Sequence, residues 1–93
     1  MQVDWSAEAA NDVAGIFEYI RPDNPSAARH ISERIYERAN SLGTFPYLGR
    51  SGRIEGTREL PVPSSPFIIV YRVLENSLEI VTVLHGAQRW PPA

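Results

Sequence analysis

The apolar positions of this chain change their period twice. Met1, Val3 and Trp5 alternate with Gln2 and Asp4, the period of two expected of a short half-buried strand. From Ser6 the period lengthens. Ser6 offers an N-cap oxygen, Glu8 places negative charge in the first turn, and Ala9, Val13, Ile16, Phe17 and Ile20 fall on one face of a helix that ends before Pro22. Asn24-Pro25 repeats the start signal, a capping side chain followed by proline at the first helical position. Ala28, Ile31, Ile35, Ala39 and Leu42 then recur at threes and fours until Gly43 stops a second helix. The short connection makes the pair an antiparallel helical hairpin.

Past Gly43 the helical period is lost. Gly43, Pro46, Gly49, Gly52 and Gly56 mark residues 43–56 as a loop, long for so small a domain, and long loops kept in compact domains are often functional. Thr57 to Val62 has the composition of a strand, but Pro61 and Pro63 confine it to a sheet edge or shorten it. Phe67 to Leu74 and Leu78 to Leu84 are dense in Ile, Val and Leu and flank Glu75-Asn76-Ser77, which reads as a hairpin of central strands. With Asn76-Ser77 as a two-residue turn, His85 stands opposite Ile68 and Arg72 opposite Val81. Trp90-Pro91-Pro92 closes the chain with a segment that cannot be regular. The pattern predicts a single α+β domain over 1–93 in the order strand, helix, helix, strand, strand, strand. In it the helical hairpin packs on one side of an antiparallel sheet.

Composition narrows the setting. Ninety-three residues, 43% of them hydrophobic, supply one modest core. With no Cys there is no disulfide framework, thiolate nucleophile or cysteine-based zinc site, and an intracellular, reducing setting is expected. The segment Met1 to Trp5 carries acid rather than a basic flank, and no apolar run approaches membrane-spanning length, so the cytoplasm is expected and a membrane is not. A net charge of −2 argues against broad electrostatic attraction to nucleic acid. The charge is unevenly spread: residues 1–49 hold seven acids and four Arg, net −3, and residues 50–93 hold four acids and five Arg, net +1. An anion site would therefore lie in the C-terminal half. All nine basic residues are Arg, which favours planar, bidentate contacts with carboxylate or phosphate.

Five short pieces stand in a fixed order along this pattern: Asn24-Pro25, Pro46-Tyr47-Leu48-Gly49-Arg50, Gly56-Thr57-Arg58-Glu59-Leu60, Val70-Tyr71-Arg72-Val73 and Val83-Leu84-His85-Gly86. With the element order, they make the chain resemble the RelE/ParE toxins of bacterial type II toxin–antitoxin systems over nearly its whole length. The resemblance implies growth arrest held in check by an antitoxin from the same operon. That partner would have a DNA-binding N-terminus and a C-terminal segment that wraps the toxin in a hetero-oligomer. It implies no cofactor and no metal. It leaves two targets open, because the family divides into ribonucleases that cut messenger RNA, usually on the ribosome, and ParE-type toxins that poison DNA gyrase.

A metal-independent ribonuclease needs a base, cationic groups and an acid within reach of one phosphate. The candidates here are His85 as acid or base, Arg58 and Arg72 as cations and Glu59 as a base, with Arg50 and Arg53 beside Arg58 in or next to the long loop. Each has a plainer reading. His85 can be a strand-end histidine bonded to backbone. The Arg cluster can be a solvated loop paired with Glu55 and Glu59, or a docking site for acidic antitoxin residues. Family ribonucleases typically carry an Arg where this chain has Ile68, often an aromatic after the terminal His where Gly86 stands, and in RelE itself lysines that this chain lacks. Those departures move the weight toward the ParE type, whose specificity comes from a protein surface. Arg89 and Trp90 are then the leading target-contact residues, since Arg and Trp dominate interface energetics. Trp5, on an alternating strand, is expected in the packing, and Arg72, on a strand otherwise apolar, needs a carboxylate or carbonyl partner.

Overall fold

The computed structural model describes residues 1–91, so Pro92 of the closing segment lies outside it. In chain order the elements are β1 (Gln2–Trp5), α1 (Ala7–Ile20), α2 (Pro25–Ser41), β2 (Arg50–Ser51), β3 (Arg58–Pro61), β4 (Phe67–Val73) and β5 (Ser77–His85). The strands form one sheet in the order β1-β5-β4-β3-β2. Both helices open on the caps expected from the sequence: the Ala9 N–H donates to Ser6 Oγ at 3.0 Å and the Ala27 N–H to Asn24 Oδ1 at 3.0 Å.

The α+β architecture stands, with three corrections of detail. First, the sheet is mixed rather than wholly antiparallel, because β1 runs parallel to β5 from Gln2↔Ser77 to Trp5↔Ile80. Two antiparallel helices return the chain to its starting end, where the Met1 ammonium donates to the Gly43 carbonyl at 2.9 Å. Second, a two-residue strand forms inside the long loop, pairing Arg50 with Glu59 and Ser51 with Arg58. So short a piece carries no readable period. Third, the β4–β5 register differs. Val73 pairs with Leu78 and Leu74 N–H donates to Ser77 C=O, so the two-residue turn is Glu75-Asn76, one residue earlier than Asn76-Ser77. A bulge opposite Val70/Tyr71 then adds a residue on β5. As a result Arg72 faces Glu79 rather than Val81, and His85 faces Phe67 rather than Ile68.

α1 packs on β5 and α2 on β4, both on the same face of the sheet. Ala9, Val13, Ile35, Ala39 and Leu42 meet Ile69, Tyr71, Leu78 and Ile80 there, all essentially inaccessible to water. Trp5 is half-buried against this core, its ring 4.9 Å from that of Tyr36, as its place on an alternating strand implies. β1 ends at Trp5, and beyond it α1 takes over the edge of β5. Ser6 Oγ donates to the Val81 carbonyl at 2.8 Å, and Asp12 Oδ2 accepts from Thr82 Oγ1 at 2.6 Å and from the Val83 N–H at 3.0 Å. One carboxylate on α1 thus satisfies strand-edge groups that no neighbouring strand reaches.

Candidate functional site

The residues singled out from sequence fall into two groups at opposite ends of β4. At the Phe67 end, His85 lies edge-on to the Phe67 ring, 5.7 Å between centroids at 87°. Its Nδ1 accepts a hydrogen bond from the Ala87 N–H at 3.1 Å, and its own N–H donates to Gln88 Oε1 at 3.3 Å. An Nδ1 that accepts from backbone leaves Nε2 to carry the proton of the neutral ring. The histidine therefore closes the turn that follows β5. It also borders a cleft of ≈ 550 Å³ between the C-terminal half of α1 and the sheet. Ile16, Ile20, Ile31, Phe67 and Val83 form the cleft's apolar lining, and Asn11, His85 and Gln88 its polar rim. Tyr19 stands at its mouth, 85% exposed.

At the Val73 end, Glu59 is a buried carboxylate. It takes four hydrogen bonds from Arg53, one from the backbone N–H at 2.9 Å and three from the guanidinium at 3.1 to 3.3 Å, and Arg50 approaches to 3.5 Å. Burial alone would raise its pKa, but the Arg53 hydrogen bonds and the two Arg charges outweigh this and hold the carboxyl below its ordinary value. Arg58 points to the other face. It donates to the Gly49 carbonyl at 2.7 Å and stacks 4.9 Å from the centre of the Tyr47 ring. The Tyr71 hydroxyl accepts from Gly49 N–H and donates to the Pro46 carbonyl, both at 2.8 Å. Burial raises the Tyr71 pKa, against the smaller opposing effects of the Gly49 hydrogen bond and the Arg58 charge.

The four residues assigned to a nuclease site do not converge. His85 shares the helix-bearing face with Phe67, and Arg58 shares it with Tyr71, four residues along β4 or roughly 13 Å at about 3.3 Å per residue. Glu59 and Arg72 project from the opposite face, where Glu59 is engaged by Arg53 and Arg72 donates to Glu79 at 3.0 Å. Of the C-terminal pair, Arg89 is exposed, while Trp90 is half-buried with its indole nitrogen enclosed and, among the described residues, without a hydrogen-bond partner. Two features were missed in the sequence. One is the Asp12 clamp, signalled only by an acid beside the apolar stripe of α1. The other is the exposed run Phe45, Tyr47 and Leu48, legible as three large apolar side chains inside a Gly/Pro-marked loop that no core element claims.

Comparison with known proteins fixes the family. The profile of the ParE toxin of the type II toxin–antitoxin system parDE matches residues 3–90. The chain belongs to the ParE toxin family. It is 39% identical over 90 residues to a candidate toxin of Sinorhizobium fredii, Y4kP, covering 97% of this chain and 93% of that one. It is 32% identical over 87 residues to toxin RelE2 of Caulobacter vibrioides, covering 94% and 97%. Among solved structures, one from the chromosomal ParDE system of P. aeruginosa superposes with a TM-score of 0.82 at 24% identity over 89% of this chain and 92% of that one. A YoeB dimer from Staphylococcus aureus gives 0.58 at 16% identity, over 88% and 92%. At those identities the two structures speak for the fold alone. The toxin is therefore one half of a toxin–antitoxin pair by family. Among its described residues no helix is long and apolar enough to cross a membrane.

Proposed function

We propose that this toxin arrests growth by binding a protein target, DNA gyrase, as ParE-type toxins do, and that a cognate antitoxin neutralises it by occupying the cleft beside His85. The observation that carries the first half is the dispersal of the nuclease candidates. General acid–base cleavage needs its groups around one phosphate. Here His85 is bonded to the backbone N–H of Ala87, Arg72 and Glu59 lie on the other face with ionic partners of their own, and Arg58 is roughly 13 Å along the strand, at about 3.3 Å per residue. The aromatic Phe67, not a cation, is the cross-strand neighbour of His85. A toxin that works through a protein surface needs no such constellation.

Support for the second half is the shape and lining of the cleft. Its apolar floor and polar rim suit an amphipathic segment whose apolar side chains fill the space under Tyr19 while its polar ones meet Asn11, His85 and Gln88. The test is induction of the toxin without antitoxin, with DNA-damage response and transcript integrity followed side by side. The gyrase reading expects a strong damage response with transcripts intact. Rapid, codon-patterned cleavage of messages without a damage response would replace it with the ribosome-dependent ribonuclease reading. Harmless induction would point to a binding partner that only autoregulates with its antitoxin.

A further inference from the structure

The loop between α2 and β3 is anchored from within and apolar on the outside. Tyr71 holds it through Gly49 N–H and the Pro46 carbonyl, and Arg58 holds it through the Gly49 carbonyl and the Tyr47 ring. A Cβ on Gly49 would lie 2.7 Å from the Tyr71 ring and hydroxyl and 2.9 Å from the Glu59 carbonyl, so this tethering depends on glycine. Such anchoring has no evident purpose for the outward side chains, which do not join the core. Phe45 is 61% exposed, Tyr47 65% and Leu48 46%. Next to Tyr47 a hollow of ≈ 400 Å³ continues the surface over Ile54, Thr57, Arg58 and Val73. Exposed apolar side chains concentrated within four residues and rimmed by polar groups mark an interaction surface. Their preorganisation lowers the ordering cost of binding.

Charge indicates what the surface would take. The Arg50 side chain is 64% exposed and sits 3.5 Å from a carboxylate that Arg53 already satisfies with four hydrogen bonds. Arg58 has a carbonyl and an aromatic ring as its contacts, and among the described residues no carboxylate pairs with it. Arg58 thus stands beside the exposed aromatic run on the helix-bearing face, while Arg50, which ends the run, presents its guanidinium on the opposite face next to Glu59. The complementary surface is a protein patch that presents a carboxylate beside apolar side chains. This surface lies at the Val73 end of β4, and the cleft lies at the Phe67 end, about 20 Å away at about 3.3 Å per residue.

We infer that the Phe45–Arg50 loop, with Arg58 behind it, is the surface by which the toxin grips an acidic, apolar patch on its protein target, separate from the cleft that takes the antitoxin. This rests on the reading of the chain as a toxin with a protein target, and it places the target contact in the loop instead of at Arg89 and Trp90. The probes are cells induced for the toxin, purified DNA gyrase, and the antitoxin encoded beside the toxin. The variants are Tyr47→Ala and, in case loss of the Arg58 stack disturbs the fold, Phe45→Ser, at a side chain 61% exposed, each checked by circular dichroism and thermal melting. Growth arrest is expected to need at least tenfold more of either variant, and inhibition of supercoiling to weaken at least tenfold. Antitoxin affinity is expected to stay within twofold of wild type. Folded variants that arrest growth as wild type does would overturn the proposal. So would an equal loss of antitoxin affinity, which would make the loop part of one shared surface. If wild-type toxin arrests growth without touching gyrase, the gyrase reading fails alone and the loop is judged on growth arrest. If wild-type toxin does not arrest growth at all, both fall.

Discussion

Tyr71 and Glu59 are neighbours across the β3–β4 pair, one residue apart in register, and they show what single side chains contribute here. Removing the Tyr71 hydroxyl leaves the buried Gly49 N–H without its acceptor, a loss of about 1–3 kcal/mol for an unsatisfied buried group. For a domain of this size that lowers the melting temperature of Tyr71→Phe by roughly 4–8 °C per kcal/mol, readable in a thermal melt. The Tyr71 pKa is raised in the folded state, so its contribution is fully present below the ordinary value of 10.0 and is lost as pH rises through the folded value above it. Glu59 has the opposite sign. Its pKa is lowered from 4.5, so its contribution is present above that pH and disappears as pH falls through the lower, folded value. Glu59→Gln should destabilise the toxin at neutral pH by about 1.5 kcal/mol, the low end for a charged hydrogen bond because Arg53 is partly exposed. Its melting temperature should fall less steeply than wild type below pH 4.5. Equal acid slopes for the two proteins would show that the Arg53 clamp contributes nothing.

At the scale of elements, the sequence carried the helices almost to the residue. Their signals are local: an N-cap side chain, a proline at the first position or past the end, and apolar residues at threes and fours. The central strands were legible for the same reason, as unbroken runs of Ile, Val and Leu. What was not legible depends on distant partners. β2 exists because Arg50 and Ser51 find Glu59 and Arg58, and the β4–β5 register depends on a bulge that leaves no mark in a row of apolar residues. Asp12 belongs to the same class, since the edge groups it satisfies lie 70 and 71 residues away. Asp12→Ala should cost about 1–3 kcal/mol and raise amide exchange at Val83 well before β4 exchanges. Unchanged protection of Val83 would count against a clamp. In the same way, Glu59, Arg72, Arg58 and His85 are legible in the sequence as polar groups that need partners, but not which partners they find. Only the structure could show that the partners are Arg53, Glu79, Gly49 and the Ala87 backbone instead of one phosphate.

Across the whole molecule, one small sheet separates two surfaces. The cleft beside His85 and the aromatic loop lie at opposite ends of β4, so the two proposed contacts, with antitoxin and with target, involve different residues. Tyr19, at the mouth of the cleft and 85% exposed, would be covered if the antitoxin docks there as proposed. Tyr19→Ala should weaken antitoxin affinity at least tenfold by calorimetry, and an unchanged affinity would move the antitoxin elsewhere on the toxin. The proposed mode of action of this ParE-family chain is on a protein and not on RNA. The direct measurement is DNA supercoiling by purified gyrase with increasing toxin, with and without the cognate antitoxin. Supercoiling is expected to be blocked by toxin and restored by antitoxin. Full supercoiling at a large excess of folded toxin, together with cleavage of messenger RNA on ribosomes by the same preparation, would contradict it.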